Sequence, residues 1–354
     1  MNDADTELAM LKHHGDSDLV AGAIDLAVNV RARMPPAWLR RRLAEADLAA
    51  YPDQRDAVTA VARRHARAEQ DVLLTAGAAE AFVLIARAFS PRRAVVVHPQ
   101  FTEPEAALRA AGHPVERLVL RWPFRFDGSG IAEDADLVVL GNPTNPTSVL
   151  HDARTIAALA RPGRLLVVDE AFADCVPGEL QSLAGQASLP GLIVVRSLTK
   201  TWGLAGVRAG YLLAEPAIVE RLARAQAHWA VSTPALIATR ECSQPAAVAD
   251  ADAWATTQAA ERSNLAESLA AIKGVRVVPG ARASFLLVRT PVPGIRQALL
   301  GYGFAVRRGE TFPGLDSSWF RVAVRDSVTS ARFAAALAAV LAAAELPAPE
   351  GISR

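Results

Sequence analysis

The chain has 354 residues, of which 51% are hydrophobic, and it carries a formal net charge of +1. This length suffices for one large domain or two ordinary ones, while the near-neutral charge argues against a nucleic-acid or anionic-membrane partner. Two cysteines are too few for a disulfide framework or a metal cluster, and no apolar run reaches the roughly 20 residues of a membrane-spanning helix.

The predicted elements begin after a polar, acidic N-terminus. Residues 1–20 lack the basic start and apolar middle of a secretory signal, and we expect them to be a flexible tail of a cytoplasmic protein. From residue 71, short apolar runs alternate with helical patterns. The runs that predict strands are 71–75, 94–98, 135–141, 164–170 and 191–197, and those that predict helices are 78–89 and 103–112.

This alternation predicts an α/β fold. Because the strand runs are almost continuously apolar, we expect a doubly wound, mostly parallel sheet with helices on both faces. The pattern changes after about residue 240 to a long helix, four short strands and an Ala-rich helix, which is typical of a smaller α+β domain. We therefore predict a large domain over 45–240, a small domain formed by 21–44 together with 241–346, and a C-terminal tail over 347–354.

The stretch "RSLTKTWGLAGVRAG" contains one of only three lysines in the chain. Lys200 follows a predicted parallel strand, and ligands of open α/β sheets bind at the carboxyl ends of the strands. Ser197 and Thr199 add hydroxyls and Arg208 adds a guanidinium, a set that suits a phosphate beside a nucleophilic amine. Taken alone, the stretch fits a solvated lysine in a turn equally well.

The whole stretch resembles the lysine signature of the class I and II aminotransferases, fold-type I enzymes that use pyridoxal 5'-phosphate (PLP). The resemblance spans roughly residues 25–345 and implies the PLP-dependent transferase fold. It also implies that Lys200 holds PLP as a Schiff base and then moves protons. Ser197, Thr199 and Arg208 are implied to bind the phosphate of the cofactor.

The predicted strand over 164–170 places an acidic residue, Asp169, at its end. A carboxylate there is partly buried and needs a cationic partner. The protonated ring nitrogen of PLP is such a partner, and the charge pair keeps the ring an electron sink. Asp169 is therefore predicted to act beside Lys200 in catalysis, with helix capping as the alternative.

The resemblance implies further cofactor contacts from three loops, "GNPTNPTS", "TAGAAEAF" and "HPQFTEP". In the first loop, Asn145 is implied to donate to the phenolic oxygen of PLP. In the second, the backbone amides of Ala78 and Ala79 form a phosphate cradle at a helix start. In the third, Phe101 is implied to stack on the ring. An ordinary turn or core packing remains the alternative at each loop.

The segment "AAYPDQ" resembles the histidinol-phosphate aminotransferase branch of the family. In that branch the tyrosine reaches the cofactor phosphate of the neighbouring subunit. The resemblance therefore implies that Tyr51 binds the cofactor across a homodimer with composite active sites. Packing of Tyr51 in a core is the alternative.

Substrate contacts are predicted near both ends of the chain. In "WFRVAVRD", Arg321 and Arg325 are four residues apart on one predicted strand, so we expect them on the same face. The resemblance implies that Arg321 binds the substrate carboxylate, whereas Arg325 is either a second anion contact or a surface charge. In "LAVNVRARMPP", Asn29 is the further candidate. Arg31 and Arg33 either bind a substrate phosphate or are solvated charges at a helix start, and the pattern favours solvated charges.

The predicted residues are compatible with two reactions at the substrate Cα. Loss of the Cα proton leads to transamination, whereas loss of the carboxylate leads to decarboxylation. Phe172 replaces the tyrosine usual in this branch, and "DEAF" with "RSLTK" resembles the threonine-phosphate decarboxylases of cobalamin biosynthesis. We expect a PLP-dependent aminotransferase acting on a small amino acid, phosphorylated or not. A threonine-phosphate decarboxylase-like lyase is the alternative, and a non-catalytic PLP-binding regulatory protein is the alternative of another class. No metal is expected.

Overall fold

A computed structural model describes residues 9–32 and 35–345, which form two β-sheets covered by helices. Arg33, residues 1–8 of the predicted N-terminal tail and the predicted C-terminal tail over 347–354 lie outside the described residues. The predicted α/β class is confirmed.

The larger sheet has seven strands in the order β2-β8-β7-β6-β5-β3-β4. Strand β8 runs antiparallel to both neighbours, and the strands from β3 to β7 run parallel to one another. The strands are β2 (Val72–Thr75), β3 (Ala94–His98), β4 (Val115–Val119), β5 (Leu137–Gly141), β6 (Leu165–Asp169), β7 (Leu192–Ser197) and β8 (Gly210–Ala214). Strand β4 was not predicted because this edge strand is half-exposed and lacks the continuous apolar run of the others.

Apolar cores lie on both faces of this sheet. Successive residues of a strand point to opposite faces, so Val138 and Leu140 of β5 pack in one core and Leu137 and Val139 pack in the other. Burial on both sides explains why these strands are continuously apolar. The accompanying helices are Ala37–Ala44, Arg55–Arg64, Ala78–Ala88, Glu103–Ala110, Ala153–Ala157, Thr199–Trp202, Pro216–Ala225 and Thr233–Cys242.

The smaller sheet has five strands in the order β1-β11-β12-β10-β9. Strand β1 pairs parallel with β11, and the other pairs are antiparallel. The strands are β1 (Ile24–Leu26), β9 (Arg276–Val277), β10 (Phe285–Arg289), β11 (Phe304–Arg308) and β12 (Trp319–Ala323), and the helices are Pro245–Ala270, Arg296–Gly301 and Ser327–Glu345.

The helix Ser327–Glu345 is long and apolar enough, by composition alone, to cross a membrane. Its residues Phe333, Leu337 and Leu341 pack in the core of the smaller sheet. The helix therefore has the contacts of a core helix.

The predicted division into two domains stays a prediction, and two contacts bear on its boundaries. Leu39, which we expected in the small domain, packs in a core of the larger sheet. The helix Pro245–Ala270 contributes to the cores of both sheets, because Ala251 packs in that same core and Leu265 packs in the core of the smaller sheet. We propose that the large domain includes Ala37–Ala44.

Candidate active site

A cavity of about 520 Å³ lies where the carboxyl ends of β6 and β7 face the smaller sheet. The cavity brings together every predicted site residue except Tyr51 and Arg325. The residues it gathers are Asn29, Ala78, Ala79, Phe101, Asn145, Asp169, Ser197, Thr199, Lys200, Arg208 and Arg321. Their individual roles stay predictions.

Asp169 and Lys200 are the two ionisable groups at the centre of this cavity. Burial raises the pKa of Asp169 to about 6, although the Ala171 N–H, which donates to its Oδ1 at 3.0 Å, and the nearby Lys200 amine oppose the rise. Burial also lowers the pKa of Lys200 to about 8, and Arg321 lowers it further while Asp169 opposes the change. The cavity thus holds a carboxylate that benefits from a second cation and an amine that is easily deprotonated.

A cradle for a phosphate lies at the start of the helix Ala78–Ala88. The first amides of a helix have no acceptor within it, which leaves the N–H groups of Ala78 and Ala79 available to an anion. Gly77 precedes them with a φ of +79°, and a Cβ added there would meet Nη2 of Arg208 at 2.5 Å. Glycine therefore lets the guanidinium of Arg208 lie close to the helix start.

The hydroxyls of Ser197 and Thr199 complete this side of the cavity. Both residues are buried, and the Thr199 N–H donates to Oγ of Ser197 at 3.3 Å, which fixes the turn after β7. A buried carboxylate, an amine of low pKa and a phosphate cradle are the groups that PLP requires. The residues present therefore fit this cofactor.

Arg321 is buried and joins the two sheets at the cavity. It donates to Oδ1 of Asn145 and to the carbonyl of Ala27. In the amide orientation that satisfies both groups, Asn29 accepts from Nη1 and Nε of Arg321 at 3.1 and 2.9 Å. Three predicted site residues are thus linked by hydrogen bonds, with the oxygen of Asn145 turned toward Arg321.

Two aromatic rings flank the reactive groups. The ring of Phe172 lies 5.5 Å from Nζ of Lys200, measured to the ring centroid. Phe101 lines the cavity, and the ring of His14 lies 5.4 Å from it between centroids. Phe172 brings no hydroxyl to the site.

Arg325 lies outside the cavity, so its placement does not support the first of the two predicted alternatives, a second anion contact beside Arg321. Its guanidinium donates to the backbone carbonyls of Asp25, Val28 and Val30 at 2.9 to 3.3 Å. Strand β12 ends at Ala323, so the same-face rule for a spacing of four does not extend to Arg325. Its role here is to hold the segment that contains Asn29.

Tyr51 also lies outside the cavity of its own chain. It is 75% exposed and stacks on the exposed ring of Trp229 with the centroids 4.3 Å apart. Its placement is inconsistent with core packing. The predicted contact with a partner's cofactor stays a prediction.

The sequence did not single out Arg307, which is buried and lines the cavity. Arg307 in β11 lies directly opposite Arg321 in β12 in the antiparallel register, so the two side chains share one face of the sheet. The sequence shows only that Arg307 belongs to a predicted strand. It does not show the strand register that places Arg307 beside Arg321.

Residues 9–20 were expected to be a flexible tail, and the structure differs. Leu11 and Asp18 are buried, and the carbonyl of Leu11 accepts from the hydroxyl of Thr102. His14 and Asp16 line the cavity. The polar residues of this segment, which suggested disorder, instead bind groups around the site. Asp18 binds Arg307 and Arg308, and His14 binds Glu103.

A buried ionic network lies behind the cavity, on the opposite face of β6 and β7. Arg196 pairs with Glu170 at 3.1 Å, with Glu179 at 2.7 Å and with Asp174, and Arg64 joins Asp174 and Glu179 from a neighbouring helix. Glu170 follows Asp169 and Arg196 precedes Ser197 in the chain. The network therefore fixes the strand ends that present the site.

The same network borders a second, larger cavity of about 1030 Å³. It contains none of the predicted site residues and no lysine among its lining residues. Although this cavity is larger, we do not assign the active site to it, because Lys200 and Asp169 line the smaller cavity.

Comparisons with known proteins agree with the fold and with the family that the sequence motifs resemble. The family model for aminotransferase class I and II matches residues 21–340. A histidinol-phosphate aminotransferase of Mycobacterium tuberculosis (strain H37Rv) is 50% identical over 90% of this chain and 88% of its own length. A threonine-phosphate decarboxylase of Salmonella typhimurium is 31% identical over 90% of this chain and 91% of its own length.

A solved structure shows the same fold. The histidinol-phosphate aminotransferase of Sinorhizobium meliloti, in complex with pyridoxal-5'-phosphate, superposes with a TM-score of 0.78 over 90% of both chains at 22% identity. The fold and site define a PLP-dependent enzyme. The chain belongs to the aminotransferase class I and II family, and the predicted family, enzyme class and cofactor are confirmed.

Proposed function

We propose that this enzyme transfers the amino group of a small phosphorylated amine, of the kind that histidinol phosphate represents. The observation that carries the proposal is the pair Arg307 and Arg321, two buried arginines that lie on neighbouring strands on one face of the sheet and line the cavity with Lys200. Arg208 beside the cradle suits the phosphate of the cofactor. The pair is thus left for anionic groups of the substrate.

The pair also suits the amino donor that a transaminase needs. A dicarboxylic amino acid such as glutamate presents two carboxylates, and each planar guanidinium binds a carboxylate or a phosphate through two parallel hydrogen bonds. One pair of arginines can therefore serve both half-reactions, with a carboxylate in one and a phosphate in the other.

Lys200 performs the proton transfers, and the residues around it hold the cofactor. When bound, PLP supplies an electron sink for the bond that breaks at the substrate Cα. Asp169 would hold the ring nitrogen in its charged form, while Ser197, Thr199 and Arg208 would hold the phosphate. Because the pKa of Lys200 is about 8, a useful fraction of the amine is neutral near neutral pH and can take a proton from Cα and return it.

Decarboxylation of threonine phosphate is the second candidate, and Phe172 favours it. A tyrosine at this position would bring a hydroxyl to the phenolic oxygen of the cofactor, whereas Phe172 is buried with its ring beside Lys200. Threonine phosphate also presents a carboxylate and a phosphate on one molecule, which matches Arg321 and Arg307. Relatives named for both activities cover 90% of this chain.

A homodimer with composite sites is part of the proposal. An exposed stack of Tyr51 on Trp229 is an unusual surface for an isolated protein, and Leu48 nearby in the chain is also exposed. These side chains suit insertion against a second copy, with Tyr51 reaching the partner's cofactor phosphate. A cytoplasmic location stays a prediction.

The test is to supply the PLP-loaded enzyme with each substrate separately. Histidinol phosphate with 2-oxoglutarate should yield glutamate, and the same incubation with Lys200→Ala should not. Release of carbon dioxide from threonine phosphate, with no glutamate in the first incubation, would replace transamination by the second candidate. Neither product would indicate a PLP-binding protein without turnover and would refute the proposal.

A further inference from the structure

Asp18 is a buried carboxylate surrounded by basic groups. It is 2% exposed, and its Oδ2 accepts from Nη1 of Arg307 at 3.1 Å. Its Oδ1 accepts from Nε of Arg308 at 3.1 Å and lies 3.5 Å from Nη1 of Arg296 and 3.2 Å from Nε2 of His13. Although burial disfavours its charge, Arg307 and Arg308 hold the pKa of Asp18 below its usual range. The site is thus built around a charged Asp18.

Asp18 belongs to the N-terminal segment, residues 9–20, which forms part of the cavity wall. His14 and Asp16 line the cavity, and Nε2 of His14 lies 2.5 Å from Oε1 of Glu103. The segment passes so close to β1 that a Cβ added at Gly15 would lie 2.7 Å from the carbonyl oxygen of Ala27. Substrate bound in the cavity therefore meets this segment directly.

Arg307 connects the segment to the cavity. Its Nη1 donates to Asp18, its Nη2 donates to the carbonyl of His13 at 2.6 Å, and its guanidinium lies 4.9 Å from the ring centroid of Phe312. A guanidinium has five N–H groups, so these contacts fix its orientation and still leave donors for an anion. The segment therefore orients the arginine that we assign to the substrate phosphate.

We propose that Asp18 is a positioning residue that fixes Arg307 for the substrate phosphate and thereby couples the N-terminal segment to substrate selection. The inference rests on the proposed function, because it requires a phosphorylated substrate. Without the carboxylate, Arg307 loses its countercharge within a cluster that also contains Arg308 and Arg296. Mutual repulsion then turns the guanidinium away or releases the segment.

The experiment compares matched substrates in matched variants. Asp18→Asn and Asp18→Glu are assayed with histidinol phosphate against histidinol, and with threonine phosphate against threonine. Asp71→Asn is the control, because it removes a buried carboxylate from another arginine. Nε of Arg67 donates to Oδ2 of Asp71 at 2.9 Å, and neither residue lines the cavity. If loss of a buried carboxylate only lowers stability, both variants should lose activity on both substrates. If Asp18 serves phosphate recognition, only the Asp18 variant should lose its preference for the phosphorylated substrate.

The expected result is a loss confined to the phosphorylated substrate. Asp18→Asn should lower its kcat/KM about tenfold or more, mainly through KM, because orientation of a charge-assisted contact is lost. The kcat/KM for the dephosphorylated substrate should stay within about twofold, and Asp18→Glu should recover part of the selectivity. Equal losses on both members of a pair, or no loss, would overturn the inference.

A measurement on the wild-type enzyme avoids the case in which Asp18→Asn fails to fold. In the PLP-loaded protein, the phosphorylated ligand should slow hydrogen exchange in residues 9–20, and its dephosphorylated form should not. Equal exchange with both ligands would overturn the coupling. A wild-type enzyme with no preference for either phosphorylated substrate would refute the proposed function itself, whereas a preference that survives Asp18→Asn refutes this inference alone.

Discussion

The pH at which PLP attaches to Lys200 is the sharpest prediction of the site's electrostatics. The amine must be neutral to react with the aldehyde of the cofactor, and the pKa of Lys200 is lowered by burial from 10.5 to about 8. At pH 7 roughly one amine in ten is then neutral, compared with roughly one in three thousand for an ordinary lysine. The reactive neutral amine is therefore about 300-fold more abundant at pH 7 than in a lysine of ordinary pKa, and attachment should be faster at that pH.

The direction of the pH dependence follows from the sign of the shift. The neutral fraction rises with pH, reaches one half near pH 8 and levels off above it, so the attachment rate should fall about tenfold for each pH unit below 8. Two variants should move this profile in opposite directions. Arg321→Gln removes a charge that lowers the pKa of Lys200 and should move the midpoint to higher pH, whereas Asp169→Asn should move it to lower pH.

The assay mixes apoenzyme with PLP in a stopped-flow instrument and follows the absorbance of the bound cofactor from pH 6 to 10. Free pyridoxal, which lacks the phosphate, serves as a control for effects of the phosphate cradle, and Lys200→Ala serves as the blank. A midpoint near 10, or the same displacement in both variants, would refute the electrostatic reasoning.

Three further predictions concern packing around the site. Arg196→Met leaves the buried Glu170 without a countercharge and should lower the free energy of unfolding by about 3–5 kcal/mol in urea denaturation of the apoenzyme; a loss below about 1 kcal/mol would contradict this role. Gly77→Ala places a Cβ against Arg208 and should weaken PLP binding about tenfold by titration, whereas unchanged affinity would place the phosphate elsewhere. Arg325→Ala should raise hydrogen exchange over residues 25–30 while PLP binding stays unchanged, and loss of the cofactor would assign Arg325 a direct contact.

The central strands of the larger sheet were predictable because burial on both faces requires consecutive apolar residues, which are visible in the sequence. The runs that end at Gly141, Asp169 and Ser197 are apolar except near their carboxyl ends, and each forms a central strand of the parallel part of the sheet. Strand β4 was missed because it lies at the edge of the sheet, is half-exposed and has no run of consecutive apolar residues. The packing of Leu39, in the helix Ala37–Ala44, in a core of the larger sheet was not foreseen because packing partners cannot be read from a local pattern.

The candidate site was predictable where its residues follow one another in the chain. The segment from Ser197 to Arg208 needs only local geometry to come together, and its spacing is visible in the sequence. Arg307 and Asp18 were missed because their meaning depends on a cross-strand register and on a contact between residues 289 positions apart. The expectation that Arg325 shares a face with Arg321 does not apply because β12 ends at Ala323, and the sequence does not show where the strand ends.

Covalent attachment of PLP at Lys200 tests the central claim most directly. Reduction of the PLP-loaded enzyme with borohydride, followed by digestion and peptide mass spectrometry, fixes the cofactor to the lysine that holds it. Because the chain has only three lysines, the result is unambiguous. The account predicts a pyridoxyl-phosphate mass on the peptide containing Lys200, and a label on Lys12 or Lys273, or on no peptide, would contradict it.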